Sequence, residues 1–408
     1  MKILVVSQYF WPETFRVNEI VSELTARGHE VTVLTGRPNY PEGVLHPDFL
    51  AEPARFSRYA DADVLRVPLR PRGQGSLSLV LNYWSFVFWG CVKGPRLLRG
   101  RDFDAIFVFE TSPITSALPA ILMKWIKRAP LSMWVLDLWP DTLQAVGMVK
   151  TERQLKAVGL LCRFIYRRCD LILGQSRAFI EPIRRWAGSG DRFRYFPQWS
   201  EEIFDANAAP TEPASQVMAL GPGFNIVFAG NIGDAQDFPS LLRAAKLTRD
   251  REDIRWVIVG DGRAAPQVRA DIERLGLSRN VVMLGRHPVE RMPAFFAAAD
   301  ALLVSLKAEP IFAMTIPGKV QSYLAAGKPL LGMLNGEGAR VIEESGAGRV
   351  VPSGDAQALA RQAMELADLP AEVRARMGNS GQRYGATHFK RAALISQLEA
   401  WLADPTAP

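Results

Sequence analysis

The sequence predicts an α/β protein made of two doubly wound, Rossmann-like domains facing a cleft. A length of 408 residues suits two domains at about 100–200 residues each. Short β-rich apolar runs alternate with helical patterns in both halves, as expected of parallel strands joined by crossover helices. The alternation stops once, at 205–223, a Pro-, Gly- and Ala-containing stretch with little periodicity that reads as a linker.

Taken in order, the first half predicts strands over 2–8, 30–35, 62–67, 103–109, 131–137, 170–174 and 193–197. Helices fit 16–27, 76–92, 113–127, 151–168 and 176–187. After the break, strands are expected over 225–229, 256–259, 281–284, 301–305, 329–332 and 349–351. Three helical patterns close the chain, at 356–367, 371–384 and 391–403. The domains are therefore read as 1–204 and 224–388, with 389–408 as a terminal helix.

At 48% hydrophobic and 22% charged, the composition excludes a chain that stays unfolded. Three cysteines without a CxxC pair fit neither a zinc ribbon nor a secreted disulfide scaffold. Met1 and Lys2 lead straight into the apolar run Ile3 to Val6, which reads as a first strand and not a signal peptide, so a cytoplasmic setting is expected.

The net charge of +7 is unevenly spread. Residues 1–200 hold 27 Lys+Arg against 18 Asp+Glu, and 201–408 hold 22 against 24. Arg66, Arg70, Arg72, Lys93, Arg96, Arg99 and Arg101 form a run without an intervening acid, suited to a polyanion or an anionic lipid surface. Inside that run, residues 73–92 are uncharged and rich in aromatic and aliphatic side chains. The length approaches the ~20 residues of a membrane span. Ser78, Asn82 and Ser85 share one helical stripe, however, and the flanks are basic. An interface-lying helix anchored by Trp84, Phe88 and Trp89, with Arg70, Arg72, Lys93 and Arg96 on lipid phosphates, fits the pattern, and a core helix is the alternative.

Four segments carry candidate chemistry. Gly230-Asn231-Ile232-Gly233, followed by Gln236, ends a strand and precedes a helix, so its amides can approach an anion; a structural glycine turn is the alternative. Thr315-Ile-Pro-Gly318-Lys319 opens a helix that continues through Ser322. A lysine in the first helical turn opposes the helix dipole unless an anion joins it, which points to a bound phosphate, with Lys319 in solvent as the alternative. Asp137 and Asp141 follow a buried-looking strand, where open α/β sheets bind ligands, and each suits a base, a hydroxyl acceptor or a cap. Gly260-Asp-Gly262-Arg-Ala-Ala265 outlines a dinucleotide fingerprint but lacks an acid at the ribose position, so a plain tight turn is expected. The pairs Asp61/Asp63 and Asp102/Asp104 precede apolar strands and read as solvated turns, and no metal is assigned.

Taken together, Tyr9-Phe-Trp-Pro-Glu13, Phe15-Arg-Val-Asn-Glu19, Arg27-Gly-His-Glu-Val-Thr-Val-Leu-Thr35, Pro38-Asn-Tyr-Pro41, Asp137-Leu-Trp-Pro140, Gly230-Asn-Ile-Gly233 and Lys319-Val-Gln-Ser-Tyr-Leu-Ala-Ala-Gly-Lys328-Pro resemble family 4 glycosyltransferases of the WbuB-like type, which build bacterial surface polysaccharides. The resemblance implies a GT-B architecture, retention of anomeric configuration, no metal and no cofactor. It implies a nucleotide-diphosphate sugar donor in the C-terminal domain and, in the N-terminal domain, a polyprenyl-diphosphate-linked saccharide acceptor at the inner face of the plasma membrane. The terminal helix would cross back to the first domain. Together with the segments above, the resemblance gives a donor-binding set of Gly230, Asn231, Gly233, Gln236, Arg286, Glu309, Thr315, Gly318, Lys319 and Ser322, catalytic carboxylates at Asp137 and Glu13, and, for acceptor or phosphate, Asp141 and, from its position and charge alone, Arg16. The sequence departs from the wider family where a ribose-holding glutamate is replaced by Ser322 and its partner glutamate by Met314. The sugar implied is an N-acetylated amino sugar or a deoxysugar, on uridine or guanosine diphosphate. Nucleic acid is not an expected partner. A nucleotide-sugar 2-epimerase-like isomerase and a non-catalytic partner subunit are the alternatives.

Overall fold

A computed structural model describes residues 1–73, 75–145, 147–204 and 212–407. Two units emerge, one formed by Met1–Pro197 with Ala392–Pro408 and the other by Gln198–Arg391.

The first unit is an eight-stranded sheet in the order β3-β4-β2-β1-β5-β6-β7-β8. Its strands are β1 (Lys2–Val6), β2 (Glu30–Gly36), β3 (Arg58–Tyr59), β4 (Ala62–Val67), β5 (Ala105–Glu110), β6 (Leu131–Val135), β7 (Leu171–Gly174) and β8 (Phe193–Tyr195). All pairings are parallel except that of β3 with β4. Strands β1, β5, β6 and β7 are almost wholly apolar because helices cover both faces of a parallel sheet. Strand β1 pairs with both β2 and β5, so the chain reverses direction across the sheet there. Open sheets of this kind bind ligands beyond the strands' carboxyl ends at such a point. From Ala392 on, the helix Arg391–Ala403 belongs to this unit: Glu399 accepts from Arg27 at 3.0 Å and His29 at 2.8 Å, and Trp401 packs edge-on to Phe196.

The second unit is a six-stranded, all-parallel sheet in the order β11-β10-β9-β12-β13-β14. Its strands are β9 (Phe224–Ala229), β10 (Ile254–Val259), β11 (Val281–Gly285), β12 (Ala301–Ser305), β13 (Leu330–Met333) and β14 (Gly348–Val351). The switch point falls between β9 and β12. One core layer joins Ile226, Phe228 and Trp256 of the sheet to Leu241 and Leu359 of the covering helices.

Three sequence expectations are corrected. Part of the expected linker, 205–211, lies outside the described residues, but Ser215–Met218 is a helical turn and the Ala214 amide donates to the Ala294 carbonyl. Residues 198–204 fall in the second unit, because Phe204 stacks on Phe296 at 5.1 Å. The helix expected over 76–92 is longer, running from Ser76 to Leu97. Asn82 is fully buried, held by Gln8 and the Arg70 carbonyl, whereas Leu77, Leu81, Trp84, Phe88 and Val92 are exposed. The inner side of the helix is already filled by Tyr83, Phe86 and Val87, so the remaining apolar side chains can only face out.

Candidate active site

The second unit gathers a site at the carboxyl ends of β9, β10 and β11. A cavity of about 440 Å³, within the size range of ligand pockets, is lined by Gly230, Asn231, Gly260, Gly262, Arg286 and His287, among others. Close backbone approach explains the glycines. A Cβ on Gly260 would sit 1.9 Å from the Gly230 carbonyl oxygen, and one on Gly262 would sit 2.4 Å from that of Ile232. The Gly260-Asp-Gly262 segment is thus the tight turn expected, and Arg263 clasps Asp234 across the two loops.

Lys319 stands in the first turn of the helix Gly318–Ala325, beneath the Gly230 turn. Its Nζ lies 3.5 Å from the centre of the Phe228 ring, is sealed from solvent and has no hydrogen-bond partner. Burial without a compensating anion lowers its pKa to about 7. The lysine therefore turns inward, and the conflict with the helix dipole read from sequence has become an unpaired buried nitrogen. Gly230 has φ +135°, a conformation that favours glycine, and a Cβ there would meet Lys319 Cε at 2.7 Å and have to displace it.

The other residues expected to hold a donor divide. Arg286 is exposed on the cavity wall. Gly318 and Ser322 share the helix of Lys319, and Thr315 bonds its own loop through the Ile311 carbonyl. Glu309 is exposed beyond β12, in a loop tied to the glycine turn by the bond from the Lys307 amide to the Ala235 carbonyl. The amide of Gly233 is already taken by Gln236 Oε1 at 3.0 Å, which corrects the expectation of a free anion donor there.

In the first unit, Asp137 follows β6 and accepts from the Trp139 indole at 3.2 Å. Desolvation raises its pKa. Beside it, at the end of β5, Glu110 is fully buried and accepts from the Asp137 amide at 3.3 Å, while its Oε1 has no partner. Burial and then the Asp137 charge drive the Glu110 carboxyl well above the usual carboxylate range, which favours its neutral form. Sequence reasoning missed Glu110, although it is the one acid ending the otherwise apolar run Ala105 to Phe109. Asp141 opens the short helix Asp141–Ala145 and is also raised by burial.

Two further expectations change. Both oxygens of Glu13 are engaged by backbone amides, Oε1 by Asn39 and Tyr40 at 2.7 Å and Oε2 by Phe10 at 3.1 Å. It fastens the loop after β1 to the loop after β2. Arg16 pairs with Glu19 at 2.9 Å on the first turn of its helix. Within the basic run, Arg66 is half-buried against the Gly36 and Trp11 carbonyls, and Arg101 pairs with Asp63. Lys93 rests on Trp89, which is half-buried, and Arg70 and Arg96 are exposed. Among the described residues, no group of three or more His, Cys, Asp or Glu is placed to hold a metal ion.

Residues 14–199 match the "Glycosyl transferase 4-like domain" and residues 223–368 match "Glycosyl transferases group 1". The chain is a glycosyltransferase of the GT-B fold. This transferase is 26% identical over 340 residues to WcaI of Escherichia coli (strain K12), named as a colanic acid biosynthesis glycosyl transferase, covering 80% of this chain and 82% of that one. It is 27% identical over 278 residues to the glycosyltransferase WbjE of Pseudomonas aeruginosa, covering 66% and 68%. The transferase also shares its fold with Anabaena HepE, solved in complex with UDP, at a TM-score of 0.70, 15% identity and coverage of 99% and 100%.

Proposed function

We propose that the protein transfers a sugar from a nucleoside diphosphate donor to a lipid-linked saccharide in surface-polysaccharide assembly, as a WbuB-like enzyme that retains anomeric configuration without a metal. The observation that carries this reading is the buried, unpartnered Nζ of Lys319 beside the glycine-lined cavity. Breaking a sugar–phosphate bond builds negative charge on the departing diphosphate, and a fixed cation in a poorly solvated site stabilises that charge far more than water does. Lys319 supplies the cation, and Arg286 on the cavity wall faces the nucleotide. WcaI and the UDP-bound HepE support a nucleotide-sugar chemistry of this kind.

In the first unit, Asp137 takes the acceptor hydroxyl and orients it, while the departing phosphate accepts its proton. The donor sugar is an N-acetylated amino sugar or a deoxysugar. The acceptor's lipid keeps the reaction at the cytoplasmic face of the inner membrane, where the outward apolar side chains of the Ser76–Leu97 helix enter the interface and Arg70 and Arg96 meet lipid phosphates. No helix among the described residues is long and apolar enough to cross a membrane, so contact is peripheral in this reading.

The test is thermal stabilisation against uridine, guanosine, adenosine, cytidine and thymidine diphosphates. A ligand present at 100 times its Kd stabilises the native state by ~2.7 kcal/mol. One base should raise the midpoint by several degrees in wild type and by less in Lys319→Met. A flat panel refutes the donor reading.

A further inference from the structure

A nucleoside diphosphate presents two groups in fixed order, an anionic diphosphate and then a ribose with two hydroxyl donors. Lys319 answers the first. One turn further along the same helix, Ser322 is buried and its hydroxyl lies 3.0 Å from Glu201 Oε2 and 3.2 Å from the Gly318 carbonyl oxygen, so one proton is shared between them. Residues three apart on a helix have Cβ atoms about 5–6 Å from each other. A carboxylate therefore stands within one helical turn of the phosphate-binding cation.

Glu201 does not come from that helix. It lies in 198–204, and this segment is anchored directly after it. Glu202 pairs with Arg391, and Phe204 stacks on Phe296. Phe296 in turn meets Tyr323 edge-on at 5.1 Å, and the Tyr323 hydroxyl exchanges hydrogen bonds with the backbone of Ala229 at the end of β9. Packing thus ties the position of Glu201 to the strand whose end forms the cavity. An ionised carboxyl group has two acceptor oxygens and can receive two hydroxyls together, with charge-assisted bonds about twice as strong as neutral ones.

We infer that Glu201, oriented by Ser322, is the residue that accepts the ribose hydroxyls of the donor nucleotide. The inference rests on the nucleotide-binding reading of this site and extends it to a residue outside the glycine turn and the Lys319 helix. It makes the site selective for ribonucleotides, because a nucleotide lacking those hydroxyls forfeits their charge-assisted bonds to the carboxylate.

The experiment is calorimetric titration of the full chain with uridine or guanosine diphosphate, whichever binds, and with its 2′,3′-dideoxy counterpart. Wild type should prefer the ribonucleotide by about 10-fold or more, the value of one hydrogen bond to a charged group. In Glu201→Gln the preference should fall below about 3-fold, with ribonucleotide binding weakened and dideoxynucleotide binding unchanged. Ser322→Ala, which keeps the carboxylate but frees its orientation, should fall between the two. Returning a carboxylate from the helix side, as Ser322→Glu in a Glu201→Ala background, should restore the preference. Undiminished preference in Glu201→Gln overturns the inference and leaves the donor reading standing. So does an equal loss for both ligands, which marks a residue that only fastens the segment. Failure of wild type to bind either ribonucleotide overturns both.

Discussion

Binding of a nucleoside diphosphate should consume a proton at Lys319. The Nζ is buried over Phe228 without an anion, and its pKa stands at about 7. At pH 8 only about one such lysine in ten is protonated. A diphosphate drawing the nitrogen off the ring favours the ammonium, so complex formation should take up about 0.9 proton at pH 8 and about 0.5 at pH 7. Affinity should accordingly fall by close to tenfold per pH unit above pH 8, until the pKa in the complex is reached. Titration calorimetry in buffers of differing ionisation enthalpy measures the uptake directly. At pH 8 the terminal phosphate, with a second pKa of about 6, is already ionised and adds nothing. Lys319→Met should abolish the uptake and weaken binding by about 10- to 100-fold. Zero uptake in wild type at pH 8, or the same uptake in the methionine variant, refutes the placement of the diphosphate on this lysine.

Gly230→Ala forces a side chain into φ +135° and against Lys319 Cε, and should cost about 1–3 kcal/mol in chemical denaturation while abolishing nucleotide binding. Burial favours the neutral form of Glu110 in the fold, whereas in the unfolded chain the group ionises above its ordinary value of 4.5. Its contribution to stability is therefore full below pH 4.5 and declines as pH rises towards the folded-state pKa, by about 1.4 kcal/mol for each pH step of one. Glu110→Gln should flatten that decline in urea unfolding measured from pH 4.5 to 8, and equal slopes in the two proteins would show that the acid is not neutral. Glu13→Ala strands three backbone amides and should lower the midpoint of thermal unfolding by about 5–15 °C. The double variant Trp84→Ser/Phe88→Ser should weaken flotation with anionic vesicles on the order of 30-fold at low salt, with wild-type binding itself falling as salt rises; vesicle binding equal to wild type removes the helix from the docking surface.

The alternation of strands and helices was legible because it depends on local periodicity: β10 and the helix Gly318–Ala325 stand where short apolar runs and the Pro-Gly entry put them. The electrostatic conflict at Lys319 was legible for the same reason, since a helix dipole and a first-turn lysine are neighbours in sequence. Which face of the Ser76–Leu97 helix is covered was not, because Asn82 is buried by Gln8 and the Arg70 carbonyl, contributed by separate segments, while Trp84 is left about half exposed. Nor could spacing show that Arg66 is spent on the Gly36 and Trp11 carbonyls, that the oxygens of Glu13 are filled by amides, or that Glu110 stands beside Asp137. Glu201 meets Ser322 across 121 positions of chain. Hydrophobic periodicity chooses an element and its buried stripe, but the state of a charged group depends on what desolvates it and what bonds it, and those neighbours are brought by segments far apart in sequence.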